Sequence, residues 1–160
     1  FRFTQPRGKE PRSKENLKNY RERGSGTVRG ERDAHKDVEL KFWETAAGTG
    51  ITDDAVRVSA GRFKAAIDDL AERLQDSKNL LGDDLSMLDV AWVVYVNRLV
   101  RCGYALERLH PIVNEWFWPL RNSPEFDREM QVPPEVQKAV DERHEEQRNS
   151  GTTLAEVAGL

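Results

Sequence analysis

The side chains in this sequence that could carry out chemistry are few and widely spread. Cys102 provides the only thiol, and its neighbour Arg101 could lower the thiol pKa enough to make it nucleophilic. A free cysteine in an apolar helix is more often an inert small hydrophobe, so both interpretations stay open. The histidines lie far apart, at His35, His110 and His144. None has metal-ligand spacing to another or to the cysteine, so we expect no bound metal.

An aromatic cluster offers a second kind of chemistry, the binding of an apolar ligand. Trp116, Phe117 and Trp118 follow one another in a segment with helical periodicity. They could line a ligand pocket, but aromatic residues at this spacing more commonly belong to a core. Both roles are compatible with the sequence.

The composition favours one helical domain. The chain has 160 residues, of which 38% are hydrophobic and 33% are charged, a balance that fits helices with wide polar faces. A single cysteine excludes an intrachain disulfide, and no apolar run approaches the length of a membrane span. No secretory signal is present, so we expect a cytoplasmic protein. The sequence begins at Phe1 rather than methionine, so it could be part of a longer protein.

Charge is distributed unevenly along the chain. Residues 1–30 contain nine basic and three acidic residues, a net charge of +6, and the remainder contains 16 basic and 25 acidic residues, a net charge of −9. Such a basic segment could bind nucleic acid or dock on the acidic part of its own protein. The basic residues are dispersed among glutamates and lack a repeated pattern of interleaved aromatic residues, and the overall charge is −3, which argues against nucleic acid.

Apolar periodicity predicts that these charges are carried by a bundle of helices. Helices are expected over residues 13–24, 31–47, 53–77, 87–102, 111–120 and 134–148, with no strand. Ser13 and Thr52 are the expected N-caps of the first and third helices. The closing stretch, GTTLAEVAGL, is expected to be mobile or to lie along the surface.

The apolar faces of three of these helices can be assigned from residue spacing. The second helix would bury Ala34, Val38 and Phe42, with Trp43 and Ala46 widening the stripe. Pro119 should end or kink the fifth helix. The third carries the clearest stripe, which comprises Val56, Ala60, Phe63, Ile67, Leu70 and Leu74.

The stretch LGDDLSMLDVAW places unusual polar chemistry before the most apolar helix. Ser86 is the expected N-cap, and Asp89 can accept a hydrogen bond from the Ser86 backbone N–H, which makes a capping box. Leu85 and Val90 are placed to form the accompanying hydrophobic staple. Water cannot reach the first N–H groups of a buried helix, so side chains must satisfy them. The sequence therefore predicts a buried central helix at about 87–102, in which Arg98 needs an acid partner or a route to solvent.

Residues 80–126 resemble the C-terminal helical domain of glutathione S-transferases. That family opens its central helix with a Gly-Asp, Ser and Asp pattern, matched here by Gly82-Asp83, Ser86 and Asp89. A second family pattern is matched at spacings of 5, 4, 4 and 2 by Pro111, Trp116, Leu120, Pro124 and Phe126.

The resemblance implies an all-α bundle of five to six helices of the glutathione S-transferase C-terminal type. It divides the chain into a basic segment or linker at 1–30, the helical domain at 31–126, and a C-terminal helix and tail at 127–160. Members of the family carry a thioredoxin-like lobe before this domain, which binds glutathione and activates its thiol. Residues 1–30 are too short for that lobe and show no βαβ pattern, so we expect it to be absent from this chain.

The resemblance also implies a function. The parent protein would be a homodimeric transferase that conjugates glutathione to a small-molecule electrophile, without metal or membrane. This chain would shape the co-substrate pocket, with Tyr20 and Trp43 as substrate-binding candidates and no catalytic residue of its own, and alone it would be inactive. The alternative is a non-enzymatic interaction or scaffold module of the same fold. A nucleic-acid binder using residues 1–30 is a third reading.

Overall fold

A computed structural model describes residues 2–4, 13–23 and 26–160, and over these residues the protein is almost entirely helical. The helices are α1 Lys14–Glu22, α2 Ala34–Gly48, α3 Asp53–Arg73, α4 Met87–Arg101, α5 Leu106–Leu109, α6 Pro111–Arg121, α7 Pro124–Met130, α8 Pro134–Ser150 and α9 Leu154–Ala158. The predicted all-α fold class is therefore confirmed. Within the described ranges, no helix combines the length and apolarity needed to cross a membrane.

Side-chain caps fix where several helices begin. Ser13 accepts a hydrogen bond from the backbone N–H of Asn16, and Thr52 accepts one from that of Ala55. Both N-caps were predicted, because a hydroxyl before an apolar-periodic segment satisfies a backbone donor that the helix itself cannot. The predicted stop of α1 at Gly24 lies outside the described residues.

A small hairpin was missed by the sequence analysis. Strands β1 Thr27–Val28 and β2 Glu31–Arg32 pair antiparallel, joined by two residues with positive φ, Arg29 at 53° and Gly30 at 83°. Positive φ at both turn positions matches the twist of paired strands, and glycine adopts it without strain. All four strand residues are exposed, so the alternation that reveals a strand was not present.

The predicted buried face of α2 was correct at Trp43 and wrong at Ala34, Val38 and Phe42. Leu40 and Trp43 are buried, whereas Val38 is 66% exposed and Ala34 is exposed as well. α2 contacts α1, and this contact accounts for the burial of a side of α2 that periodicity alone did not identify. Phe42 is half-exposed and lines a pocket described below.

The core forms where α3, α4, α6 and α9 meet, because α3 contacts both α6 and α9 and α4 contacts α6. The predicted stripe of α3 is buried except at Phe63, which is partly exposed. The aromatic cluster of α6 divides, with Trp116 and Phe117 in the core and Trp118 exposed. Pro119 lies inside α6, which continues to Arg121. The apolar side chains with no exposed surface are Ile67, Val93, Val96, Val113 and Phe117.

Helix α4 is buried on one side and meets solvent on the other. Val93 and Val96 are fully buried, while Met87 is 79% exposed and Tyr95 is about half exposed. Of the two possibilities predicted for Arg98, an acid partner or a route to solvent, the structure shows the second. Its side chain is exposed, and its guanidinium lies 5.9 Å from the centre of the Tyr95 ring.

The N-terminus of α4 has the capping box. The Ser86 hydroxyl accepts from the Asp89 backbone N–H at 3.4 Å, and the Asp89 carboxylate accepts from the Ser86 N–H at 2.8 Å. The other carboxylate oxygen accepts the Leu80 backbone N–H at 2.9 Å, a bond across the α3–α4 connection. Leu85 is exposed and Val90 partly buried, and the hydrophobic staple between them stays a prediction.

Burial acts to raise the pKa of Asp89, which has no exposed surface. Hydrogen bonds from Leu80 and Ser86 outweigh that effect, and the pKa of the carboxyl lies below its usual value. Asp89 is therefore an ionised group held by the donors of the α3–α4 connection.

The C-terminal stretch forms a helix that is packed into the core, so the expectation that it lies along the surface was wrong, and its mobility stays a prediction. Thr153 caps α9 and forms a second capping box with Glu156. α9 packs against α3 and buries Leu154 and Val157 in the core. The Thr-x-x-Glu spacing was a visible signal for this helix. Because α1 contacts α2 and α9 contacts α3, both flanking segments touch the helical domain, and the divisions at residues 30 and 126 stay predictions.

We predict that Asp89→Ala lowers the free energy of unfolding by about 3 kcal/mol, since it strands two backbone donors, and Ser86→Ala by about 1 kcal/mol. Urea denaturation monitored by circular dichroism measures both. Asp84→Ala, an exposed neighbour in the same loop, is the control and should stay within about 0.5 kcal/mol of the wild type. Equal stability of all three variants would contradict the role given to the capping box.

We predict that Leu154→Ala destabilises the protein by about 2 kcal/mol or more, because it leaves a cavity between α9 and α3. The same denaturation experiment measures it. Ala155→Gly, a change next to it on the same short helix, controls for lost helix propensity and should cost about 1 kcal/mol. If Leu154→Ala costs no more than that control, α9 does not contribute to the core.

Candidate ligand pocket

An apolar pocket of about 340 Å³ lies where α2, α3, the end of α4 and α9 converge. Its volume falls at the small end of the range typical of ligand sites. Its walls are mainly apolar and aromatic, including Phe3, Phe42, Phe63, Leu99 and Leu154. This composition suits an apolar small molecule.

Helix α3 forms the long wall of the pocket. Ala55, Ser59 and Phe63 line it at four-residue spacing, which places them on one face of the helix. Val56 and Ala60 also contribute, and their opposite sides are buried in the core. Since Thr52 fixes the start of α3, the cap also determines which residues face the pocket.

A short N-terminal segment closes one side of the pocket. The Arg2 guanidinium donates to the Ile51 carbonyl at 2.9 Å and pairs with Asp53 at 2.6 Å, next to the start of α3. Phe3 is buried, and its carbonyl oxygen accepts a hydrogen bond from the buried Gln147 amide of α8 at 3.1 Å. Arg2 is thus occupied by its own protein rather than directed at a ligand.

Cys102 lies at the pocket wall without the properties of a nucleophile. Burial raises the pKa of its thiol and outweighs the opposing charge of Arg101. The thiolate fraction at neutral pH is therefore below that of an ordinary cysteine. Of the two interpretations from the sequence, the inert buried cysteine agrees better with this environment.

A buried hydrogen-bonded chain runs from the surface of α3 to the pocket. The Nδ1 atom of His110 lies 3.2 Å from the Asp68 carboxylate, and Nε2 lies 2.8 Å from the Tyr104 hydroxyl. With the proton on Nδ1, the neutral imidazole donates to Asp68 and accepts the Tyr104 O–H. Tyr104 lines the pocket, and its ring stacks on the imidazole at 5.8 Å.

The environment keeps the His110 imidazole and the Tyr104 hydroxyl uncharged near neutral pH. Burial lowers the pKa of His110, with Asp68 opposing this and Lys64 adding to it. Burial, followed by the charge of Asp68, raises the pKa of Tyr104 to about 12. Tyr104 is thus a hydrogen-bond donor rather than a base. This hydrogen-bonded series could not be predicted from the sequence, since Asp68 and His110 share no motif.

The two sequence-predicted binding residues lie together but away from this pocket. Tyr20 on α1 donates its hydroxyl proton to Glu39 at 3.0 Å, and Trp43 on α2 donates its indole N–H to the same carboxylate at 3.3 Å. They join α1 to α2. Phe42, adjacent to Trp43, faces the pocket instead. Substrate binding by Tyr20 and Trp43 stays a prediction.

Comparison with known proteins identifies the domain. Residues 40–117 match the family model described as glutathione S-transferase, C-terminal domain. A search of curated proteins returned no match, and neither did a search of solved structures. The matched range spans α3, α4 and most of α2 and α6, which build the core and most of the pocket. The match covers 78 of the 160 residues, and over this range the chain is similar to the C-terminal domain of glutathione S-transferases.

Within the described parts of the chain, no group of three or more His, Cys, Asp or Glu side chains is arranged to hold a metal ion. The expectation of a metal-free protein is a statement about the whole molecule and stays a prediction.

We predict that the wild-type protein loses stability between pH 7.5 and pH 5 partly because His110 must be protonated on unfolding. A histidine with a lowered folded pKa contributes full stability above its unfolded pKa of about 6.5, and loses it as pH falls toward the folded pKa. His110→Gln should show a smaller loss over this range in urea titrations. His35→Gln, at an exposed position, should keep the wild-type dependence. Equal slopes for His110→Gln and wild type would contradict the buried neutral histidine.

Proposed function

We propose that this chain is the co-substrate half of a glutathione-transferase-like protein that adds glutathione to an electrophilic, mostly apolar small molecule. The observation that carries the proposal is the apolar pocket within a domain of this family. Removing about 100 Å² of apolar ligand surface from water contributes roughly 2.5 kcal/mol, which by itself corresponds to a dissociation constant of about 15 mM, so glutathione bound beside the electrophile would add to its binding.

The chemistry of the pocket supports a role in binding the electrophile, with activation of the glutathione thiol elsewhere in the parent protein. The pKa values of Cys102 and Tyr104 are both raised, so neither side chain is an activated nucleophile or base at neutral pH. Activation of the glutathione thiol is therefore assigned to another part of the parent protein, and homodimerisation belongs to the same proposal. This domain would hold the electrophile and exclude water from its apolar part.

The non-enzymatic alternative is favoured by a different feature, an exposed apolar strip around the start of α4. Leu81, Leu85 and Met87 each expose more than half of their side chains, and Tyr95 continues the strip. Contiguous exposed apolar residues commonly mark a contact with another protein surface. In this alternative the domain serves as an assembly module and the pocket has no substrate.

Activity of the protein isolated from its source, captured with an antibody to this chain, separates the two candidates. The assay supplies glutathione and 1-chloro-2,4-dinitrobenzene. The glutathione sulfur bonds to the ring carbon, chloride leaves with the bonding electrons, and the thiol proton passes to solvent. We expect conjugation well above the uncatalysed rate. If the protein conjugates glutathione no faster than the uncatalysed reaction, both with this electrophile and with an α,β-unsaturated ketone, the transferase proposal is overturned and the assembly module is favoured.

We predict that Ser59→Trp in the full-length protein raises KM for the electrophile about tenfold and leaves KM for glutathione unchanged. The indole would fill the pocket and displace roughly 60 Å² of apolar contact, about 1.5 kcal/mol. Val58→Trp is the matched control, since Val58 is exposed on the same helix and does not line the pocket. Equal KM values for the two variants would show that the electrophile binds elsewhere.

A further inference from the structure

A second cleft, of about 500 Å³, lies on the other side of the last turns of α4. Whereas Leu99 and Cys102 face the apolar pocket, Asn97, Val100 and Arg101 line this cleft. α6 and the connection between α7 and α8 form its remaining walls. The cleft is separate from the pocket used in the proposed function, and it has a different polarity.

Charge in the cleft is unbalanced. Two arginines line it, Arg101 and Arg121, and no acidic side chain does. Arg121 is satisfied by its surroundings, because its Nε atom donates to the Asn97 amide oxygen at 3.2 Å and it pairs with Asp127 at 2.8 Å. Those contacts hold the Arg121 side chain in place and neutralise it.

Arg101 is different. Its Nε atom is buried and has no hydrogen-bond partner, and among the described residues its guanidinium forms no ion pair. A buried N–H without an acceptor costs about 1–3 kcal/mol, and buried donors in proteins are seldom left unmatched. The Nε atom is covered by the protein itself, so a carboxylate in the cleft would meet the two terminal nitrogens of the planar guanidinium, whose parallel N–H donors match its two oxygens.

The rest of the cleft suits the body of such a ligand. Trp118, Met130 and Val132 provide apolar surface next to the arginines. The Trp118 indole is 41% exposed, and its N–H donates to Asn114 at 3.0 Å, which fixes the ring plane at the cleft. An aromatic or aliphatic group attached to a carboxylate would cover this surface while the anion meets Arg101.

We propose that the cleft between α4, α6 and the α7–α8 connection binds a small organic carboxylate, with its anionic head on Arg101 and its apolar body on Trp118. The assignment rests on the guanidinium of Arg101, which has no ion-pair partner among the described residues, on the absence of an acid from the cleft lining and on the adjoining apolar wall. It holds whether or not the protein is a glutathione transferase.

Calorimetric titration of the 160-residue chain with 4-phenylbutyrate and with its uncharged analogue 4-phenylbutyramide tests the proposal. We expect the carboxylate to bind at least tenfold more tightly than the amide. Arg101→Gln should remove that preference, and Arg101→Lys, which keeps the charge but loses the planar donor pair, should retain only part of it. Circular dichroism verifies that each variant is folded.

Two matched variants test whether the preference for the carboxylate over the amide arises in this cleft. Arg98→Gln removes one positive charge from the last turns of the same helix but lies outside the cleft, and it should keep the tenfold preference. Ser59→Trp fills the apolar pocket and should leave carboxylate binding unchanged. The proposal is overturned if acid and amide bind equally, if neither binds at millimolar concentration, or if Arg98→Gln weakens binding as much as Arg101→Gln.

Discussion

The buried carboxylate of Asp89 is the interaction on which the arrangement of the helices depends. One of its oxygens accepts a hydrogen bond at the start of α4 and the other accepts one from the backbone of Leu80, so the α3–α4 connection and the start of α4 are held by one charged group. Leu80 is itself in the core, and Asn79 stabilises the same turn by donating to the Asp83 carbonyl at 2.8 Å. An ionised buried acid is tolerable only when donors surround it, so the connection must form completely to be stable.

The orientation of α4 places one of its sides against the apolar pocket and another against the cleft that contains Arg101. Residues two positions apart on a helix point about 200° apart, so Leu99 and Arg101 in the last turns face different clefts. An apolar cavity and a positively charged one are thereby built against the same helix without mixing their linings. The exposed side of α4, with Met87 and Tyr95, remains available for a third kind of contact.

Features encoded within a few residues of each other could be read from the sequence. The caps at Thr52 and Ser86 and the apolar stripe of α3 depend on spacings of three or four residues, and all of them are present in the structure. The Thr153 capping box was equally readable and was overlooked, because a short segment at the end of a chain suggests mobility.

Features that depend on which helices meet could not be read in this way. α2 carries apolar residues on more than one side, and only its contact with α1 decides that Leu40 and Trp43 are buried. Asp68 and His110 come together across 42 positions of the chain through the packing of α3 on α6. The unmatched Nε of Arg101 is also a property of three-dimensional surroundings, since its sequence neighbours do not indicate it.

The placement of Leu154 has a consequence for the thermodynamics of the apolar pocket. This residue lines the pocket from α9, a helix of five residues whose local opening requires far less free energy than unfolding of the whole domain. We therefore expect the pocket to be an ensemble, in which closed forms interconvert with forms that lack the wall supplied by α9. A ligand that touches Leu154 selects the closed members, and its apparent affinity includes the fraction of molecules in which α9 is already folded.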